Sequence, residues 1–225
     1  MKILKIKDLT KSFQDNQDRV TVLNHLSFEM EKGEFVSIVG VSGCGKSTLL
    51  HLIAGIDQAD SGEILVNDQN IFDFNEPELA RYRRQDVSLI YQFYNLLPIL
   101  NTVDNIILPL KLDQQEVDEK LLEDLLDSFQ LKDKAKAFPS QLSGGQQQKV
   151  AIARAVMACP QMILADEPTG HLDQESADMI IKKILEIHEK RDISIIMVTH
   201  NIELAKIADR VLVLENGQLH AYEEK

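Results

Sequence analysis

Tryptophan is absent from this sequence, and aromatic residues make up only 5% of it. Cysteine is scarce as well, with Cys44 and Cys159 the only two. They are far apart and carry no metal-ligand spacing, which argues against a disulfide framework and fits a reducing compartment. Basic residues are outnumbered, 24 Lys and Arg against 36 Asp and Glu, for a formal net charge of -12. A surface that acidic repels phosphate backbones and anionic headgroups, so nucleic acid as a partner and direct lipid insertion are both disfavoured. No apolar run approaches the length that crosses a bilayer. The opening Met1-Lys2-Ile3-Leu4-Lys5 has charge without a following apolar region, so no secretory signal is expected. If the chain serves a membrane process, another chain must cross the membrane.

What is present is an ordinary globular composition, 44% hydrophobic and 27% charged over 225 residues. That length suits one large domain, or one domain with an inserted lobe. The first third is strand-rich. Ile3 to Leu9 alternates apolar and polar, Asn16-Gln17-Asp18 is a polar turn, and Val20 to Phe28 resumes a strand pattern. Phe35-Val36-Ser37-Ile38-Val39 is apolar enough for a buried parallel strand. It runs into a glycine-rich turn and then a helical run from Lys46 to Ala54, closed by Gly55. A strand at Val87 to Tyr91 follows. Leu121, Leu122, Leu125, Leu126 and Phe129 then recur at helical spacing. Strand patterns return at Met162 to Ala165 and Ile193 to Val198, and Val211 to Leu219 reads as a closing hairpin. The expectation is one α/β domain, a mostly parallel sheet with an antiparallel part. Residues 1–92 and 160–225 form its core, and residues 93–159 an inserted α-helical subdomain.

Gly40-Val41-Ser42-Gly43-Cys44-Gly45-Lys46-Ser47 fits the P-loop (Walker A) pattern without a mismatch, in the strand–turn–helix context that pattern requires. Glycines let several N–H groups aim at one anion, and the helix end adds its positive dipole. Lys46 supplies a point charge for phosphate oxygens, and the Ser47 hydroxyl can ligate Mg²⁺. The loop predicts a nucleoside triphosphate without naming the reaction. A second signal is the apolar strand Met162 to Ala165 ending in Asp166-Glu167, which places two carboxylates at the carboxyl edge of a sheet, where α/β sites form. Asp166 suits a Mg²⁺ shell, and Glu167 suits a general base for an attacking water. Without the upstream loop, this pair would read as a solvated acidic turn.

Leu142-Ser143-Gly144-Gly145-Gln146 precedes the helical run Gln147 to Ala155. Ser143 can cap that helix, and two glycines leave its first amides open to an anion. Physics alone would also accept an ordinary serine-capped helix. Here the sequence resembles the ABC ATPase family, along nearly the whole chain and with its motifs in the family's order. The resemblance implies a P-loop NTPase core, ATP hydrolysis, and a head-to-tail homodimer burying two ATP molecules. In such a dimer, Ser143, Gly144, Gly145 and Gln146 of one copy face the γ-phosphate held by Gly40 to Thr48 of the other. It further implies that Phe13 stacks on adenine and that Gln92 is the Q-loop glutamine contacting the metal and γ-phosphate. Gly170-His171-Leu172-Asp173 corresponds to the D-loop, and His200, after Val198-Thr199, to the switch histidine. The implied cofactors are ATP and Mg²⁺, the latter held by Ser47, Gln92 and Asp166. Three departures stand out: Phe13 lacks the hydroxyl of the commoner tyrosine, Lys149 replaces a frequent Arg, and His171 replaces a common Asn.

Gln92-Phe93-Tyr94-Asn95-Leu96-Leu97-Pro98 and Thr102-Val103-Asp104-Asn105-Ile106 resemble the branch of macrolide-export, lipoprotein-release and bacitracin-type peptide-resistance ATPases. That implies a cytoplasmic subunit held at the inner face of the membrane by a permease, driving export or mechanotransmission. A non-transport relative regulating a membrane complex, such as cell-division machinery, shares the same motifs. ABC ATPases of DNA repair, translation or iron–sulfur assembly usually need extra domains or basic surfaces, which this chain lacks. The apolar run Phe93 to Leu100 is either a groove for a permease helix or a buried loop of the helical lobe. One prediction follows from Cys44 lying inside the phosphate loop. Alkylation of Cys44 blocks ATP binding, measured by nucleotide titration; full ATPase activity after stoichiometric modification would refute it.

Overall fold

The computed structural model describes residues 1–15, 18–170 and 172–223. Most of the turn read at Asn16-Gln17-Asp18, and His171 of the expected D-loop, lie outside the described residues. Two sheets carry the fold. The first has strand order β2-β1-β4-β5 and is antiparallel, with β1 at Lys2–Asp15, β2 at Asp18–Glu31, β4 at Ser61–Val66 and β5 at Gln69–Asn70. The second has order β10-β9-β3-β8-β7-β6. Its strands are β3 (Phe35–Val39), β6 (Val87–Ile90), β7 (Met162–Asp166), β8 (Ser194–Thr199), β9 (Arg210–Glu215) and β10 (Gln218–Ala221). All its pairings are parallel except the closing β9–β10 hairpin.

The central strands are short and buried throughout: every residue of β3 and β8 is buried. Because side chains alternate across a sheet, each strand feeds two cores. Val36 and Ile38, Met162 and Leu164, and Ile196 and Val198 pack toward the antiparallel sheet and helix α1 (Lys46–Ile53). Ile163 and Ala165, with Ile195 and Met197, pack on the opposite side. There they meet α3 (Thr102–Leu112), α4 (Glu119–Ser128), α5 (Gly144–Met157) and α6 (Gln174–Arg191). Burial on both faces explains why these strands read as continuous apolar runs. The remaining helices are α2 (Glu76–Gln85), opened by an Asn75 capping box, and short α7 (Ile202–Ala205).

Helices α3, α4 and α5 lie between β6 and β7 in the chain. The loop that leads into them is exposed: Phe93, Leu97 and Ile99 are 72%, 42% and 80% accessible. The alternative of a buried loop therefore does not hold. What shapes it is buried polar chemistry. Asn105 is fully inaccessible. Its Oδ1 accepts from Leu97 N–H at 2.8 Å, and its Nδ2 donates to the carbonyls of Leu97, Leu100 and Asn101 at 3.1, 2.9 and 3.0 Å. From α5, the Arg154 guanidinium donates to the carbonyls of Asn95 (2.7 Å) and Tyr94 (3.0 Å), both in left-handed conformation.

Asn105→Leu keeps the volume and orphans this loop. It should cost roughly 2–4 kcal/mol of stability, since each buried polar group left unpaired costs about 1–3 kcal/mol. Denaturant unfolding measures it, and a loss below about 0.5 kcal/mol, the range of neutral surface changes, would contradict it.

Candidate functional site

Parallel pairing decides which residues meet. Val39 is opposite Thr199, Asp166 opposite Val198, and Ala165 opposite Ile90. The segments leaving these strands therefore emerge at one edge of the sheet: the glycine loop after β3, Glu167 after β7, His200 after β8 and Gln92 after β6. A cleft of about 500 Å³ opens there. Its wall comes from Ser42, Gly43, Gly45, Lys46, Ser47 and Thr48 on the loop, Gln92, Asp166, Glu167 and His200 on the other strand ends, and Val22 from β2.

Gly43 (φ 79°) and Gly45 (φ 104°) take left-handed backbone that other residues rarely adopt. Gly40 does not; its constraint is space, because a Cβ there would lie 2.7 Å from both Cys44 Sγ and the Leu214 carbonyl oxygen. Helix α1 starts at once after Gly45 with no side-chain cap on its N-terminus, leaving backbone donors for a ligand. Lys46 is buried, and its ammonium donates to the Gly40 and Val41 carbonyls at 2.7 and 2.9 Å and lies 3.9 Å from Cys44 Sγ. A buried cation beside open helix amides is an anion site. Val41 is 77% exposed beside it, and Val41 and Cys44 line a second groove, together with residues of β2, of β9 and of the turn after β9.

The acidic end is built differently for its two carboxylates. Burial pushes the Asp166 carboxyl above the usual carboxylate range, partly offset by a hydrogen bond with the Ser47 side chain. Glu167 sits at φ 45°, a sparsely populated conformation for a residue with a side chain. Its N–H donates to the Val198 carbonyl and its carbonyl accepts from Gly170 N–H, both at 3.0 Å. Its carboxylate is held by two neighbours: His200 Nδ1 is 2.9 Å from Oε1, and the Thr199 hydroxyl donates to Oε2 at 3.3 Å. The Glu167 side chain is 13% exposed and that of His200 70%. A directed, mostly buried carboxylate facing an open cleft can accept a proton from water. Gly170 packs against both Gln92 and Glu167, where a Cβ would lie 3.4 Å from Gln92 Nε2 and 3.5 Å from Glu167 Cβ.

For Mg²⁺ the fit is partial and chemically specific. The Ser47 hydroxyl, the Asp166 carboxylate and the Gln92 amide share the cleft wall and are oxygen donors that suit a hard cation. Among the described residues no cluster of three or more His, Cys, Asp or Glu could hold a metal, so phosphate oxygens and water would have to complete the shell, as is usual for Mg²⁺.

Ser143, Gly144, Gly145, Gln146 and Asp173 form a second locus, outside the cleft wall. Ser143 caps α5: its hydroxyl accepts from Gln146 N–H (3.3 Å), and Gln146 Oε1 accepts from Ser143 N–H (3.0 Å). Gly144 lies under Tyr94, whose hydroxyl would be 2.8 Å from an added Cβ. Gly145 lies beside Ser176, which donates through N–H and hydroxyl to Asp173, the cap of α6. Those two bonds hold the Asp173 carboxyl below its usual range. Phe13 is likewise outside the cleft wall, on β1 opposite Val20 and 42% exposed.

Sequence reading missed three contributors. Thr199, next to the histidine, holds Glu167. Gln148 on α5 donates to the Pro168 carbonyl at 2.8 Å and is buried, tying the signature helix to the turn after Glu167. Arg154 ties the same helix to the segment after Gln92. Their positions near the quoted motifs were the available signal, but their partners are distant in sequence.

Residues 23–170 match the family described as ABC transporter. The chain is 43% identical over 220 residues to the lipoprotein-releasing system ATP-binding protein LolD of Idiomarina loihiensis, covering 97% of this chain and 96% of that one. It is 40% identical over 224 residues to LolD of Legionella pneumophila, covering 98% of each. The dimeric post-hydrolysis structure of the ATP-binding cassette MJ0796, bound to ADP and Pi, superposes with a TM-score of 0.90 at 34% identity, over 98% of each chain. Likeness of this extent in sequence and in structure establishes kinship and not merely a shared fold: the chain belongs to the ABC transporter family, as an ATP-binding subunit.

Proposed function

We propose that two copies of this chain bind and hydrolyse ATP head to tail, and that the closing and opening of this pair drives a membrane permease. The observation that carries the reading is the split of the site. The cleft around Lys46 holds the loop, the acids and the histidine, while the capped, glycine-opened end of α5 lies outside it. A second copy can bring that helix end to the triphosphate. The solved relative MJ0796 is dimeric in its post-hydrolysis state, which supports this arrangement.

In this reading Gly40 to Thr48 grip the phosphates, with Lys46 exchanging loop carbonyls for phosphate oxygens. Ser47, Asp166 and Gln92 would hold Mg²⁺, which when bound neutralises charge on the phosphates. Glu167 takes the proton of the attacking water, and His200 and Thr199 fix the direction of its carboxylate. Phe13 stacks on adenine. Ser143, Gly144, Gly145 and Gln146 contact the γ-phosphate across the dimer, with Asp173 near the same junction. Loss of γ-phosphate releases the pair.

Residues 93–159 act as a helical lobe on the core of residues 1–92 and 160–225. A groove of about 490 Å³ between this lobe and the core is lined by Tyr91, Leu96, Leu97, Leu108, Leu112 and Arg154, among others. It abuts the segment after Gln92, so a permease helix seated there would sense closure. Among the described residues no helix is long and apolar enough to cross a membrane; in this reading the chain works at the cytoplasmic face of the membrane, held there by that partner. The named relatives are ATP-binding proteins of a lipoprotein-releasing system, which favours a permease of that type over macrolide or peptide export.

Two measurements test the reading. Glu167→Gln should bind ATP, hydrolyse it on the order of 10²–10⁴-fold more slowly, and accumulate as an ATP-loaded dimer in size-exclusion chromatography. A monomer with near-normal turnover would overturn the assignment. Leu112→Glu, in the groove wall, should abolish co-purification with the permease while leaving ATP affinity unchanged; retained co-purification would move the docking surface elsewhere.

A further inference from the structure

The ring of Phe13 is not a free platform. The Lys11 ammonium lies over it, 5.0 Å from the ring centroid. Lys11 and Phe13 are two residues apart on β1, and this contact shows that their side chains meet on one side of it. Lys11 is itself fixed: its ammonium donates to Asp57 Oδ1 at 2.8 Å and to the Gln58 carbonyl at 2.7 Å, and its side chain is only 12% exposed. The neighbouring backbone is stapled to the same segment. Asp60 N–H donates to the Thr10 carbonyl (2.8 Å), and Asp60 Oδ2 accepts from Ser12 N–H (2.9 Å) and from Arg19 (2.7 Å). This segment follows α1, the helix that springs from the phosphate loop.

We infer that Lys11 is a positioning residue for the nucleotide base: it backs the Phe13 ring on one face and, through Asp57 and Gln58, sets that ring at a fixed place relative to the phosphate loop. The inference rests on the stacking role proposed for Phe13. Phenylalanine has no hydroxyl with which to anchor itself, so its orientation must come from what touches the ring. A cation over an aromatic face supplies such a contact, within the roughly 6 Å reach of this interaction. With Lys11 on one face, the exposed remainder of the ring is the surface left for a purine.

The test uses steady-state ATP hydrolysis by the full chain, with magnesium tripolyphosphate, which has no base, as a competitive inhibitor. Lys11→Met keeps the chain length and removes the cation. It should raise KM for ATP about two- to five-fold, the range a cation–π contact at an exposed site supports. It should leave kcat and the tripolyphosphate inhibition constant unchanged. Lys11→Arg should restore KM, and Lys11→Met should add nothing in a Phe13→Ala background. If Lys11→Met weakens ATP and tripolyphosphate equally, Lys11 acts on the phosphates or the fold, and the inference is overturned. If Phe13→Ala raises KM while Lys11→Met does not, the inference fails and base stacking on Phe13 stands. If Phe13→Ala leaves KM unchanged, base stacking fails and takes the inference with it.

Discussion

Everything chemical in this chain depends on four strands running the same way and staying in register. The pairing of β3 with β8, β8 with β7 and β7 with β6 brings segments more than a hundred residues apart to one edge. A slip of one residue would exchange the apolar sets that feed the two cores. It would also turn Asp166 away from Ser47. The site is therefore as rigid as the sheet, and the sheet is rigid because both its faces are buried.

On that edge the charges are unequally treated. Lys46 is buried and satisfied by loop carbonyls, and Asp166 is partly buried at a cost to its charged form. Both arrangements are costly for charged groups away from water, and in the proposed function both would be relieved by an anion and a hard cation bound together. Glu167 adds local backbone strain, offset by bonds to the Val198 carbonyl and from Gly170, and by Thr199 and His200 on its carboxylate. Such strain is commonly found where geometry serves chemistry.

The second locus is connected to the first by buried or directed polar contacts. Helix α5 starts at the capped Ser143 and touches the segment after Gln92 through Arg154, the turn after Glu167 through Gln148, and the start of α6 through Gly145 and Ser176. Helix α5 thus touches both the segment after Glu167 and the segment after Gln92. The exposed groove formed by Leu97, Leu112 and their neighbours lies along the same helix. In the proposed function these contacts are where nucleotide state and a docked partner would meet.

Local chemistry was legible in the residues alone. The glycine loop, the paired acids at a strand end, the serine-capped helix and the alternating strands each obey rules that span fewer than about twenty residues. Helix α3, with Pro109 inside it, and the long α6 were not read, because their patterns are less regular than the leucine stripe of α4. Tertiary structure alone decided the rest. It showed that Gly40 is needed for space and not for its φ, that the run from Phe93 is exposed and gripped by Asn105 and Arg154, and that Lys11 covers Phe13. These depend on partners brought close by folding, and sequence spacing does not encode the distance between groups on different elements.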